Sequence, residues 1–159
     1  MKAILLLTLL TSITFAQDLS PHFKEKITEI VSRPFFNGSW RDSWGKNVQV
    51  TNNIYFPAAC KITLSSKKSG ESSSYSTFSK INFANKDIVE IKKSGISASV
   101  KILLNEKLVT SSITNSRTGE IRRNKEKVAS FFYRPQDRRD YYIDLIDALN
   151  AYWNYCQKK

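Results

Sequence analysis

Ile96-Ser97-Ala98-Ser99-Val100-Lys101-Ile102-Leu103-Leu104 is the stretch on which the fold turns. Ile96, Ala98, Val100, Ile102 and Leu104 alternate with Ser97, Ser99, Lys101 and Leu103. A period of two sends successive side chains to opposite faces, so the run predicts a strand with one buried face.

Working outward, the same period recurs on both sides. Upstream, Val48, Val50, Ile54 and Phe56 predict extended chain as far as Pro57, and Cys60, Ile62 and Leu64 share one face of a strand over 58–65. The Ser/Lys/Gly stretch 65–74 reads as a hairpin loop. Tyr75, Thr77, Ile81 and Phe83 are in phase on the next strand, and 86–92 is another, turned at Ser94-Gly95. Downstream come a turn at 105–107, a strand over 108–114, a turn at 115–119, a charged ribbon, and a strand over 127–134. Pro135 ends the series.

The period changes to helical at both ends. Ser20 caps and Pro21 opens a helix over 19–33, with Phe23, Ile27, Ile30 and Val31 as its stripe, stopped by Pro34. The aromatic segment 35–45 reads as a loop. After Asp137 as N-cap, with Asp140 as a weaker partner, Tyr142, Ile146, Leu149, Trp153 and Cys156 fall at spacings of three and four. They predict a helix over 138–157 whose stripe needs a sheet to cover. Strands flanked by helices give α+β. The expected architecture is a bent antiparallel sheet or partly open barrel of six or seven strands over 46–134. A long C-terminal helix closes it and a short N-terminal helix precedes it.

The stretch Phe83-Ala84-Asn85-Lys86-Asp87-Ile88-Val89-Glu90-Ile91, the strand 99–104 and the tail Arg138-Arg139-Asp140-Tyr141-Tyr142-Ile143-Asp144-Leu145-Ile146-Asp147-Ala148-Leu149 carry a resemblance. Together they resemble small, uncharacterised bacterial exported proteins with a pleckstrin-homology-like domain. The likeness covers about 58–157 and lies in apolar spacing. It implies a pleckstrin-homology-like fold and brings no activity with it.

Residues 1–16 read as a cleavable signal peptide: Lys2, an apolar run from Ala3 to Leu10, and a small-residue segment in which Thr14 and Ala16 precede the cut. Even the whole segment from Ala3 to Ala16, about 14 residues, is shorter than the roughly 20 that span a bilayer. No later segment is apolar enough to span. The chain over 17–159 is then one globular domain, periplasmic or secreted. The oligomeric state is open.

The net charge of +11 falls to +10 once Lys2 leaves. Such a charge favours anionic partners, and an envelope protein or an anionic glycan or lipid fits an exported chain. Export argues against intracellular nucleic acid. Residues 117–139 concentrate the charge, with Arg122, Arg123 and Lys125 at a strand entry and Arg134, Arg138 and Arg139 around the next turn. They offer either an anion-binding arm or a charged edge that resists aggregation. Trp40 and Trp44, with Arg41, form a second candidate surface; their indoles would hold a ligand or pin the loop to the sheet.

Cys60 and Cys156 both fall on apolar faces, so an oxidising compartment invites a disulfide, the alternative being two separate buried thiols. Neither lies in a CxxC. His22 is the one histidine, which disfavours a Ser-His-Asp triad or a zinc centre, and no metal or cofactor is expected. Asp87 with Glu90, or Asp144 with Asp147, would be the acids of a carboxylate hydrolase. Asp140, Asp144 and Asp147 read more simply as a solvated helix face. The expectation is a non-enzymatic exported binding module. A small envelope hydrolase or a structural component of an envelope complex are the alternatives.

Overall fold

The computed structural model describes residues 20–95, 98–135 and 141–159. The segment read as a signal peptide, and the residues Asp137, Arg138, Arg139 and Asp140, lie outside them.

Helix α1 (Ser20–Ser32) buries Ile27, Ile30 and Val31, the stripe its spacing predicts. The strands follow as β1 (Gly38–Arg41), β2 (Asn47–Ala58), β3 (Lys61–Ser69), β4 (Ser73–Asn82), β5 (Ile88–Lys93), β6 (Ser99–Leu104), β7 (Val109–Asn115), β8 (Ile121–Glu126) and β9 (Val128–Phe132). Helix α2 (Tyr141–Gln157) closes the chain. The protein is α+β; the described residues form two helices and nine antiparallel strands in two open sheets.

The large sheet runs β1-β2-β3-β4-β7-β8 and the small one β5-β6-β9. This differs from the single bent sheet of six or seven strands expected from the sequence. Three features account for the difference. The aromatic segment read as a loop contains β1, whose Trp40 faces Val48. The Ser/Lys/Gly stretch read as a loop is mostly strand: β3 and β4 pair through Ser69↔Ser74, leaving only a tight turn. The charged ribbon is β8, which continues past Lys127 directly into β9. The chain leaves one sheet and enters the other there, and the Lys127 carbonyl accepts the Leu104 amide at 2.8 Å.

β9 crosses the inner face of β2, β3 and β4, while α2 lies against β5, β6 and α1. The core between them includes Ile62, Leu64, Ile81, Val100, Ile102, Phe131 and Leu149. On α2 the most deeply buried side chains are Leu145, Leu149, Tyr152 and Cys156, with Tyr142, Ile146 and Trp153 at the flanks. The stripe is therefore rotated from the one read in the sequence, because α2 covers α1 as well as a sheet.

The register also draws a polar row across the inner face of the large sheet: Asn52↔Ser66, Ser66↔Thr77, Thr77↔Ser111. It separates the main core from a small cluster of Trp40, Val50 and Phe132, with Val48 and Tyr75 packed against it. Asn52 anchors the row. Its Nδ2 donates to the Phe132 carbonyl at 2.8 Å and to that of Phe36, and its Oδ1 accepts the Phe132 amide at 3.0 Å. Asn37 does the same for the Asn52 backbone, accepting its amide at 2.7 Å and donating to its carbonyl at 3.2 Å. Gly38 follows because a Cβ there would stand 2.8 Å from the Pro34 carbonyl oxygen.

Cys60 and Cys156 form a disulfide with Cα atoms 5.6 Å apart, joining the β2–β3 turn to α2. Cys60 sits in the two-residue turn rather than on the strand expected for it, at φ 57°. Its amide donates to the Tyr152 hydroxyl at 2.8 Å, so the turn meets α2 through two links.

Candidate functional site

Opposed residues in an antiparallel ladder share a face, so the register sorts the large sheet's side chains into two sets. The six strands hold one acid, Glu126, and it faces inward: it pairs with buried Val109 and accepts from Ser111 and Tyr75. The outward set contains Arg41, Lys61, Lys67, Lys80, Arg123 and Lys125, all exposed. No outward position is Asp or Glu. Most of the remaining outward positions are Ser, Thr, Asn or Gln. Among the described residues none of the six cations forms an ion pair; Lys125 donates to Thr110 at 2.9 Å. Charges of one sign on one face add their fields, and no strand position on the face carries a carboxylate to offset them.

Two aromatics stand out of this face, Tyr55 at 65% exposure and Phe78 at 46%. Tyr55, Thr63 and Lys80 lie in one cross-strand row, and Lys61 with Asn82 form a neighbouring row. These side chains, with Pro57, line an open cleft of about 360 Å³. Asn82 is held in place by the Ala84 amide at 3.1 Å and by its own bond to Asn85 at 3.0 Å.

The residues singled out in the sequence divide between the two faces. Trp40 is 8% exposed and packs inward, pinning β1 to the sheet. Trp44 is 82% exposed at the tip of the β1–β2 hairpin, where the Asp42 carboxylate accepts the Trp44 and Lys46 amides at 2.9 Å each. Arg41 faces outward beside a second cleft of about 560 Å³ that also includes Gln49 and Glu71. The basic arm is split by the pleat: Arg123 and Lys125 face outward, whereas Arg122 pairs with Ile113 on the inward side and bonds Glu120 at 2.9 Å. Tyr55, Phe78, Lys61, Lys67 and Lys80 were not singled out. The signal for the lysines was there, since Lys61, Thr63, Ser65 and Lys67 alternate with Ile62 and Leu64.

The candidate acids are dispersed. Asp144 pairs with Arg33 at 3.2 Å, Glu90 with Lys92, and Asp147 is exposed on α2. None of them lines either cleft. His22 is exposed on α1. Among the described residues no group of three or more His, Cys, Asp or Glu is placed to hold a metal ion.

Tyr75 carries the one strongly displaced titration at the sheet. Burial, reinforced by the bond it donates to Glu126 at 2.9 Å, pushes its phenol up to about 12. An unfolded tyrosine titrates near 10. Because the folded value is the higher one, the contribution is complete below about pH 10 and is lost as pH rises towards about 12. Urea unfolding at pH 9 and pH 11 should show Tyr75→Phe losing less stability than wild type between the two. Equal losses would place the phenol in solvent.

No family model, no curated protein and no solved structure matches this chain.

Proposed function

We propose that the protein is an exported, non-enzymatic binding module that takes an anionic ligand on the outer face of its large sheet. The observation that carries this reading is the set of six outward cations without an ion pair, on a face whose strand positions hold no carboxylate. Export is supported by the apolar leader in the sequence and by the disulfide, a bond that persists in oxidising compartments. No helix among the described residues is long and apolar enough to cross a membrane. The pleckstrin-homology-like reading keeps one support, a C-terminal helix packed on antiparallel strands. The pairing of β4 with β7 departs from the single bent sheet it calls for.

The pleat supplies its own control. Arg123→Glu/Lys125→Glu reverses two outward charges, while Arg122→Glu reverses a neighbour on the opposite face. A Lys or Arg near an anionic surface contributes about 1 kcal/mol, so the double variant should bind sulfated dextran at least tenfold more weakly at moderate salt. Arg122→Glu should change it less than threefold. Equal losses from the two would remove the outer face from consideration.

A further inference from the structure

We propose that the cleft around Tyr55 is a sugar-stacking subsite, and that the ligand of this face is a linear acidic polysaccharide. The inference rests on the anion-binding reading above and adds the chemical class of the ligand.

Three observations point this way. The first is the aromatic itself. Tyr55 is 65% exposed on a mostly polar face, beside the irregularity at which the β2–β3 register shifts between Tyr55 and Ala58. An open ring bordered by the Thr63 hydroxyl and the fixed Asn82 amide offers an apolar platform with hydrogen-bonding groups at its rim. The C–H face of a pyranose and its ring hydroxyls match that combination. The second is the placement of charge. Lys61 and Lys80 flank Tyr55, and the next rows carry Lys125, then Lys67 with Arg123. Rows on one face repeat every two residues, about 7 Å. The sheet thus presents a cation at each step, which suits a chain with anions at intervals rather than one compact anion. The third is what mostly lies between the charges: Ser, Thr, Asn and Gln, which hydrogen-bond hydroxyls, with Phe78 and Ile121 as isolated apolar positions.

The same geometry disfavours single-stranded nucleic acid. Such strands stack successive bases on neighbouring aromatics. Tyr55 and Phe78 are separated by two strands and two residues, about 12 Å on sheet spacings. One platform cannot follow the other along a run of stacked bases.

The test uses the whole oxidised protein and titrates it with four probes: polygalacturonate, polyglutamate of matched charge, a thymidine oligonucleotide, and vesicles containing phosphatidylglycerol. Polygalacturonate and polyglutamate both carry one carboxylate per unit, but only the first has a sugar face. Polygalacturonate should bind at least tenfold tighter than polyglutamate. Tyr55→Ala should abolish that difference while leaving polyglutamate within twofold, and Tyr55→Phe should preserve it. Lys61→Gln/Lys80→Gln should weaken both polymers. These positions are exposed, and unchanged thermal unfolding of each variant checks that the fold is intact. Equal binding of the two polymers, with Tyr55→Ala silent, overturns the sugar subsite and leaves the anion-binding face standing. Tighter binding of the oligonucleotide or the vesicles than of polygalacturonate also overturns it. Failure of every probe to bind overturns both readings.

Discussion

Asn52→Ala is expected to destabilise the protein by about 3–5 kcal/mol, and Asn52→Asp by more at neutral pH. The side chain is 3% exposed and holds three backbone groups, the Phe36 carbonyl and both the carbonyl and amide of Phe132. Alanine leaves them buried without that partner, and each such loss costs about 1–3 kcal/mol. Aspartate keeps the shape but turns a carboxylate oxygen towards two carbonyls. That environment disfavours its charged form and raises its folded titration above the free value of about 3.9. The sign follows: the variant keeps its stability below about pH 4 and loses it as pH rises through the displaced folded value, while the acid at low pH can still donate to one carbonyl. Urea unfolding of both variants at pH 4 and pH 7 measures this. Equal and pH-independent losses would mean that the Asn52 side chain does not face these two carbonyls.

Removing the disulfide should have the second large effect. The bridge closes a separation of 96 residues. On the chain-entropy model a loop of that size is worth about 4.7 kcal/mol, which lowers the melting temperature by about 10–20 °C for a chain of this length. The turn adds a finer expectation. Cys60 is the one described non-glycine residue at positive φ, a conformation that costs an L-residue about 1–2 kcal/mol. Once the bridge is gone, Cys60→Gly/Cys156→Ala should therefore be more stable than Cys60→Ala/Cys156→Ala by about 1 kcal/mol. Reversal of that order would show that the turn relaxes when released.

How much of this was legible beforehand depended on the range of the interaction. The alternation through Val100, Ile102 and Leu104 is local and became β6; the apolar spacing of the tail is local and became α2. The two cysteines were readable as a pair because each lay on an apolar pattern, although Cys60 belongs to a turn. Pairing of β4 with β7 leaves no local trace, since the two are brought together only after β5 and β6 have departed to another sheet. The inward polar row hid the hairpin. Ser66 and Thr77 occupy core-facing positions where an apolar residue would have kept the alternation visible. The candidate face suffered in the same way. Its lysines come from β3, β4 and β8, so a search for clustered charge along the chain finds only the β8 portion.

The passage of the chain through Lys127 bears on how the molecule comes apart. β8 is an edge of the large sheet and β9 an edge of the small one, with a single residue between them. Peeling β8 from β7 pulls on β9, and freeing β9 strips β6 and uncovers β2, β3 and β4. The two sheets thus share one fate. In native-state hydrogen exchange, the amides of β6 and β7 should open with a common free energy and form one cooperative unit, despite lying in different sheets.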